Sequence, residues 1–192
     1  MGLWLKATAR TILLALLAAG CAATTGAGGV QPTGSARTAR LAATEADLLV
    51  AAHNRWRARV GVRPLRWSAD LAAIAQAWAD RLASRGCRLE HQRSSGLGEN
   101  LFLAGPVRTP GGAPALAPVT PDGVVDAWGS EYSDYSYSRN SCARGRTCGH
   151  YTQVVWAESE TMGCAVASCP SLAQIWVCEY HPAGNVQRRR PY

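Results

Sequence analysis

Four titratable side chains in this 192-residue chain stand in settings that restrain them. His91 closes the segment "RLEH". Glu99 stands in "GLGEN", where glycines let the backbone turn closely. Glu131 follows Trp128 by one helical turn in "WGSE", and His150 opens "HYTQVVW". Imidazole and carboxylate are the side chains of general acid–base catalysis and of divalent-metal ligation. A nucleophile is harder to find. Ser130 beside Glu131 and Ser141 beside Cys142 are nominal candidates only. There is no G-x-S-x-G elbow, no H-E-x-x-H helix, no Walker loop and no dinucleotide fingerprint.

Periodicity predicts the elements that position these residues. A first helix is expected over Glu45 to Val60, capped by Thr44 with Asp47 in capping-box position, and ended by Gly61 and Pro64. A second, capped by Ser68, carries Leu71, Ile74, Ala75, Trp78 and Leu82 at helical spacing and stops at Gly86. Short extended pieces are expected around Arg88 to His91 and Glu99 to Leu103. The Pro/Gly-rich run Ala104 to Pro121 reads as a long, mobile loop. A third helix covers Asp122 to Tyr132. Strands are expected at Tyr151 to Trp156, Met162 to Ala167 and Gln174 to Tyr180. In this reading His150 opens a strand, with Thr152, Val154 and Trp156 on its own side. Mixed helices and consecutive strands predict an antiparallel sheet flanked by helices. Trp56, Trp67, Trp78, Trp128 and Trp156 read as core or cleft wall, and Tyr132, Tyr135 and Tyr137 as half-exposed beside it. His53 and Asn54 read as structural hydrogen-bonding groups, His181 as a turn residue, and Arg188 to Arg190 as a solvated tail.

The N-terminus bears on compartment. Lys6 and Arg10 precede the apolar run "TILLALLAAG", too short to span a bilayer, which marks residues 1–20 as an export signal. Cys21 follows as in a bacterial lipobox, where the cysteine is lipidated; the alternative is a secretory signal cut near Ala22 or Ala23. Residues 21–40 read as the lipidated cysteine and a flexible tether, and 41–192 as one folded domain. Setting Cys21 aside leaves six of the seven cysteines, an even number suited to three disulfides in an oxidising compartment. Zinc-finger spacing is the rival, but Cys142 to Cys148 and Cys164 to Cys169 are wider than the usual ligand spacing. The formal charge of +7 suits anionic surfaces. Its arginines are scattered, which argues against a nucleic-acid partner.

The segments "LLVAAHNRWRARVGVRPLRWSADLAAIAQAWA", "EHQ…GEN", "AWGSEYSDY", "GHYTQVVW" and "VCEYHPAGN", in that order, resemble the CAP superfamily of cysteine-rich secretory proteins, antigen 5 and pathogenesis-related protein 1. The ending "PAGNVQRRRPY" looks most like the plant pathogenesis-related 1 type. There the matching P-x-G-N-x5-P-Y stretch is a released peptide; here it reads as shared domain sequence, with a bacterial mimic of that signal as the alternative. The resemblance implies an α+β fold, a three-layer α-β-α sandwich with a central antiparallel sheet (the CAP or SCP fold). It implies a cleft tetrad of His91, Glu99, Glu131 and His150. It also implies the pairs Cys87–Cys169, Cys142–Cys148 and Cys164–Cys178. The tetrad could ligate zinc or another divalent cation, chiefly through His91 and His150, or act as a hydrogen-bonded cluster in which each histidine is held by a glutamate. Glu99 and Glu131 are the candidate bases of a metal-assisted hydrolase or protease. Members with the whole tetrad often lack a demonstrated reaction, so a non-enzymatic role is favoured. The expected activity is binding of a sterol, a fatty acid or an extracellular partner by a monomer, either lipid-anchored in the cell envelope or freely secreted.

Overall fold

The computed structural model describes residues 41–93 and 95–192. The export signal, Cys21 and the tether lie outside the described residues. Helix α1 spans Ala43–Arg59, followed by the two-residue strand β1 (Arg66–Trp67) and helix α2 (Ala69–Ser84). Then come β2 (Gly98–Ala104), β3 (Val107–Arg108), β4 (Pro114–Ala115), α3 (Pro121–Ser130) and a 3-10 turn, Glu131–Asp134. The chain continues through β5 (Tyr135–Ser136), β6 (Ser141–Cys142), α4 (Gly149–Val154), β7 (Thr161–Ser168) and β8 (Gln174–His181).

The main sheet has the order β1-β7-β8-β2. It is antiparallel except for β1, which pairs parallel with β7. Alternation along β7 and β8 gives the sheet two apolar faces. Met162, Val166, Trp176 and Tyr180 pack with Leu49, Trp56, Val124, Trp128, Tyr151 and Val154 of α1, α3 and α4. Ala165, Ile175 and Val177, joined by Leu101 of β2, pack with Ala75, Trp78, Ala79 and Leu82 of α2. The result is a three-layer α-β-α sandwich. Strand residues that are apolar on both sides, with no polar alternation, are what a sheet covered on both faces requires.

Several local expectations hold and several do not. Ser68 caps α2 by accepting from the Leu71 N–H. Gly86, at φ +78°, lies just past its last turn, where a left-handed backbone favours glycine. Helix α1 begins earlier than predicted: Ala42 is its cap residue, and the carboxylate of Glu45, not Thr44 with Asp47, accepts from the Ala42 N–H at 2.7 Å. Arg88 to His91 form no strand. The 104–121 run contains the small ladder β3–β4 and is tied to β8 by Gln174 Nε2 donating to Ala117 O at 2.6 Å.

The largest correction concerns the segment that contains His150. It is the helix α4, not a strand, so the predicted alternation of Thr152, Val154 and Trp156 on one side does not exist. The arginine tail is also not simply solvated. Arg189 pairs with Glu158, and Arg190 donates to Tyr137 O and Ser138 O. Arg190 also lies over the Tyr137 ring, 5.1 Å from its centroid. The last residue is held too, with the Tyr192 ring stacked on Tyr137 at 4.9 Å.

Three disulfides close the domain. Cys87–Cys169 ties the end of α2 to the β7–β8 turn. Cys142–Cys148 closes the loop that leads into α4. Cys164–Cys178 links a directly opposed pair on β7 and β8. Each such closure is worth about 2–4 kcal/mol.

Candidate functional site: two histidine–glutamate pairs

Helix α4 is too short to hold itself together, and its residues favour strand. Both of its ends are fixed from outside. At its start Glu131, just past the last turn of α3, acts as an external cap: Oε2 accepts from the backbone N–H of His150 at 3.0 Å and of Tyr151 at 3.3 Å. Oε1 of the same carboxylate lies 2.7 Å from His150 Nδ1. At its end Arg57 of α1, fully buried, donates Nη1 to Val154 O and Trp156 O, Nη2 to Ser159 O and Nε to Arg63 O. Four carbonyls thus stabilise the guanidinium, whose pKa burial lowers to about 10, leaving it charged at neutral pH. In the middle, Gln153 lies buried between Gly98 and Gly184, where a Cβ at either glycine would collide with its amide. His150 therefore begins a helix because Glu131 caps that helix. Its ring lies near-parallel to Trp128, 6.3 Å between centroids.

The second pair is His91 with Glu99. His91 Nδ1 lies 2.5 Å from Glu99 Oε1, and the Gln92 N–H donates to the same oxygen at 3.1 Å. The His91 side chain is 65% exposed, whereas that of Glu99 is 6% exposed. Burial raises the Glu99 carboxyl above its usual range, opposed by the hydrogen bonds from His91 and Gln92. The structure thus joins the four predicted residues as two pairs. They flank β2: Glu99 shares its face with Leu101, toward α2, while Asn100, on the opposite face, donates to His150 O at 3.1 Å. Among the described residues no three His, Cys, Asp or Glu side chains converge on a point that could hold one metal ion. Each imidazole meets a carboxylate through Nδ1, which leaves Nε2 as the nitrogen through which a metal ion would be bound.

Neither candidate serine is set beside a base, and Ser141 is exposed in β6. Ser130 Oγ donates to Ala127 O, and no imidazole among the described residues bonds a hydroxyl of Ser or Thr. Cys87, Cys142, Cys148, Cys164, Cys169 and Cys178 are all in disulfides. His53 is buried, with Nδ1 at 2.7 Å from Leu49 O and Nε2 at 2.8 Å from Tyr180 OH; Asn54 bonds both backbone groups of Leu65. These are structural roles, as expected for both.

Comparison with known proteins agrees with this architecture. The family model described as "CAP: Cysteine-rich secretory protein family" matches residues 50–180. This chain belongs to the CAP family. It is 42% identical over 143 residues to pathogenesis-related leaf protein 4 of Solanum lycopersicum, covering 74% of this chain and 80% of the relative. It is 36% identical over 166 residues to the human GLIPR1-like protein 1, covering 76% and 62%. Among solved structures it resembles the venom allergen-like protein 4 of Schistosoma mansoni, with TM-score 0.59, 24% identity and coverage of 79% and 95%. It also resembles NaASP2, solved with Zn2+, with TM-score 0.62, 21% identity and coverage of 79% and 86%. These two share the CAP fold.

Sequence reasoning passed over Glu179. It lies in β8 directly opposite Glu99 and is 0% exposed. Burial, and then the charge of Glu99, raise its carboxyl to about 8. The available signal was an acidic residue inside the apolar strand "IWVCEY". Arg57 was likewise passed over among the many arginines.

Proposed function

We propose that this CAP domain is an exported binding module for a sterol, a fatty acid or an extracellular partner, held at the envelope by lipidation of Cys21. The observation that carries a binding reading over a hydrolytic one is that both oxygens of Glu131 are engaged, as is Oε1 of Glu99, whose Oε2 is buried. Glu131 is engaged by two backbone N–H groups and an imidazole, and Glu99 by one N–H group and an imidazole. A general base needs a lone pair aimed at a substrate or a nucleophile. Here those lone pairs orient loops. An apolar ligand also has surface to meet. Leu103, Val107, Leu116 and Leu172 are exposed in β2, in β3, just past β4 and in the β7–β8 turn, and the loop carrying Leu116 is tied down at Ala117. Three disulfides suit the oxidising compartment that this reading assumes.

The test sets sterol and fatty-acid binding beside proteolysis of a broad peptide library. It compares the natural chain with a variant carrying glutamine at His91, Glu99, Glu131 and His150. Saturable lipid binding that survives in the folded variant supports the reading. Sequence-specific cleavage lost in that variant overturns it in favour of a hydrolase. For the anchor, Cys21→Ser should abolish metabolic palmitate labelling and release the protein from membranes.

A further inference from the structure

A cavity of about 210 Å³ lies where segment 185–191 crosses the start of α4. Tyr135, Trp156, Pro191 and the Cys142–Cys148 disulfide supply its apolar wall, and Arg188 and Arg189 its charge. Among the described residues no Asp or Glu lines it. Most of its polar side chains are committed to the frame. Thr152 Oγ1 donates to Asn185 Oδ1 at 2.6 Å, and Asn185 Nδ2 donates to Gly149 O at 2.9 Å. Asn140 Nδ2 donates to Arg189 O at 3.0 Å, and Arg189 pairs with Glu158. Arg188 meets no carboxylate among the described residues. It joins the lining from a backbone at φ +64°, a left-handed conformation that disfavours any residue with a Cβ. Trp156 is 2% exposed, and its Nε1–H has no acceptor among the described residues.

We propose that this cavity binds a small carboxylate with a planar apolar body. A lining that is basic and free of acids selects an anion. The guanidinium of Arg188 offers the planar fork that meets a carboxylate through two parallel N–H donors. The aromatic and disulfide wall favours a ring over a bare ion such as phosphate, whose hydration it could not replace. The volume admits a single ring and falls short of the roughly 300–1,000 Å³ that holds larger ligands. A carboxylate oxygen would also give the buried Trp156 N–H the acceptor it lacks. The cavity shares no lining side chain with the two histidine–glutamate pairs or with the exposed leucines of the β2 and β7–β8 region. It therefore stands independently of the lipid reading.

The experiment uses the full chain at about 0.15 M salt, where loose surface attraction is screened. Calorimetry is recorded with sodium benzoate. Sodium acetate, which lacks the ring, benzyl alcohol, which lacks the charge, and inorganic phosphate are run beside it. The proteins are the natural chain, Arg188→Gln and Arg85→Gln, the last removing the same charge at the end of α2. Circular dichroism confirms the fold of each variant. The proposal expects one benzoate per chain with Kd of about 10⁻⁴–10⁻³ M, a range suited to so small a ligand. Binding should be at least about tenfold weaker for the other three probes. Benzoate affinity should fall at least about tenfold in Arg188→Gln and stay unchanged in Arg85→Gln. The Trp156 indole N–H resonance should move on saturation. The proposal is overturned if benzoate fails to saturate by about 10 mM, or if Arg188→Gln binds it as well as the natural protein. Phosphate binding as tight as benzoate would overturn it too, leaving an unselective anion patch. So would a Trp156 indole resonance that stays in place at saturation.

Discussion

Arg57 donates to the carbonyl oxygen of Trp156 at 2.8 Å, and with the parallel bond to Val154 O it stops α4 where it stops. A side chain on α1 thereby sets the backbone of a segment nearly a hundred residues later. Replacing it by methionine keeps much of the volume but leaves four carbonyls, three of them buried, without their donor. At about 1–3 kcal/mol for an unsatisfied buried group, with partial relaxation, Arg57→Met should cost about 3–5 kcal/mol. Arg57→Lys should recover only part of this, because an ammonium cannot reproduce the planar fork. Urea unfolding midpoints decide it; a loss below about 1 kcal/mol for Arg57→Met would show that the carbonyls find other partners.

That contact also explains the main misreading of the sequence. Tyr151 to Trp156 carry strand-forming side chains, and nothing within the segment marks a helix. The helix exists because Glu131 caps its start and Arg57 its end, and neither is close in sequence. Elements with a strong internal period were legible: α2 from Leu71, Ala75, Trp78 and Leu82, and β7 and β8 from their apolar runs. His91, Glu99, Glu131 and His150 were legible as a set only by resemblance. Their division into two pairs depends on Glu99 and Asn100 facing opposite sides of β2, which is a matter of sheet register. Glu179 gains its meaning only from standing opposite Glu99.

His53 gives the protein an acid limit. Burial lowers its imidazole from 6.5 to about 4. The unfolded chain therefore takes up a proton on this residue at a pH where the folded chain does not. Its contribution is fully present above pH 6.5 and is lost as pH falls toward about 4, with a slope of up to about 1.4 kcal/mol per pH unit. Glu179 acts with the opposite sign. Its carboxyl, raised from 4.5 to about 8, binds a proton in the folded state that the unfolded chain releases, so its contribution declines as pH rises through that window. The two overlap, and the His53 effect is read as a difference. Stability should fall more steeply from pH 6.5 to pH 4.5 in the natural protein than in His53→Gln. Parallel curves for the two would remove His53 as the cause.

Gly163 sets how closely α2 can approach the sheet. A Cβ there would strike the backbone of Ser68, Leu71 and Ala72, which cannot rotate away as a side chain could. Gly163→Ala should destabilise by about 2–3 kcal/mol through displacement of α2. Gly111→Ala is the control, because its Cβ would meet nothing within 4 Å, and it should change stability by less than about 0.5 kcal/mol. Equal midpoints for the two variants would mean that α2 yields freely.

The role of Glu131 separates a scaffold tetrad from a reactive one. Its carboxylate bonds the N–H groups of His150 and Tyr151 and the His150 ring, so its removal exposes the start of α4. Glu131→Ala should cost about 1–2 kcal/mol, as loss of a helix cap does, and should speed hydrogen exchange at the His150 and Tyr151 amides. Glu131→Gln retains one acceptor oxygen and should recover part of the protection. Measured without any ligand, these changes report structure alone. A catalytic base with no capping role would lose activity on substitution while stability and exchange stayed put. Unchanged protection at both amides in Glu131→Ala would therefore refute the cap and reopen the hydrolytic reading of this residue.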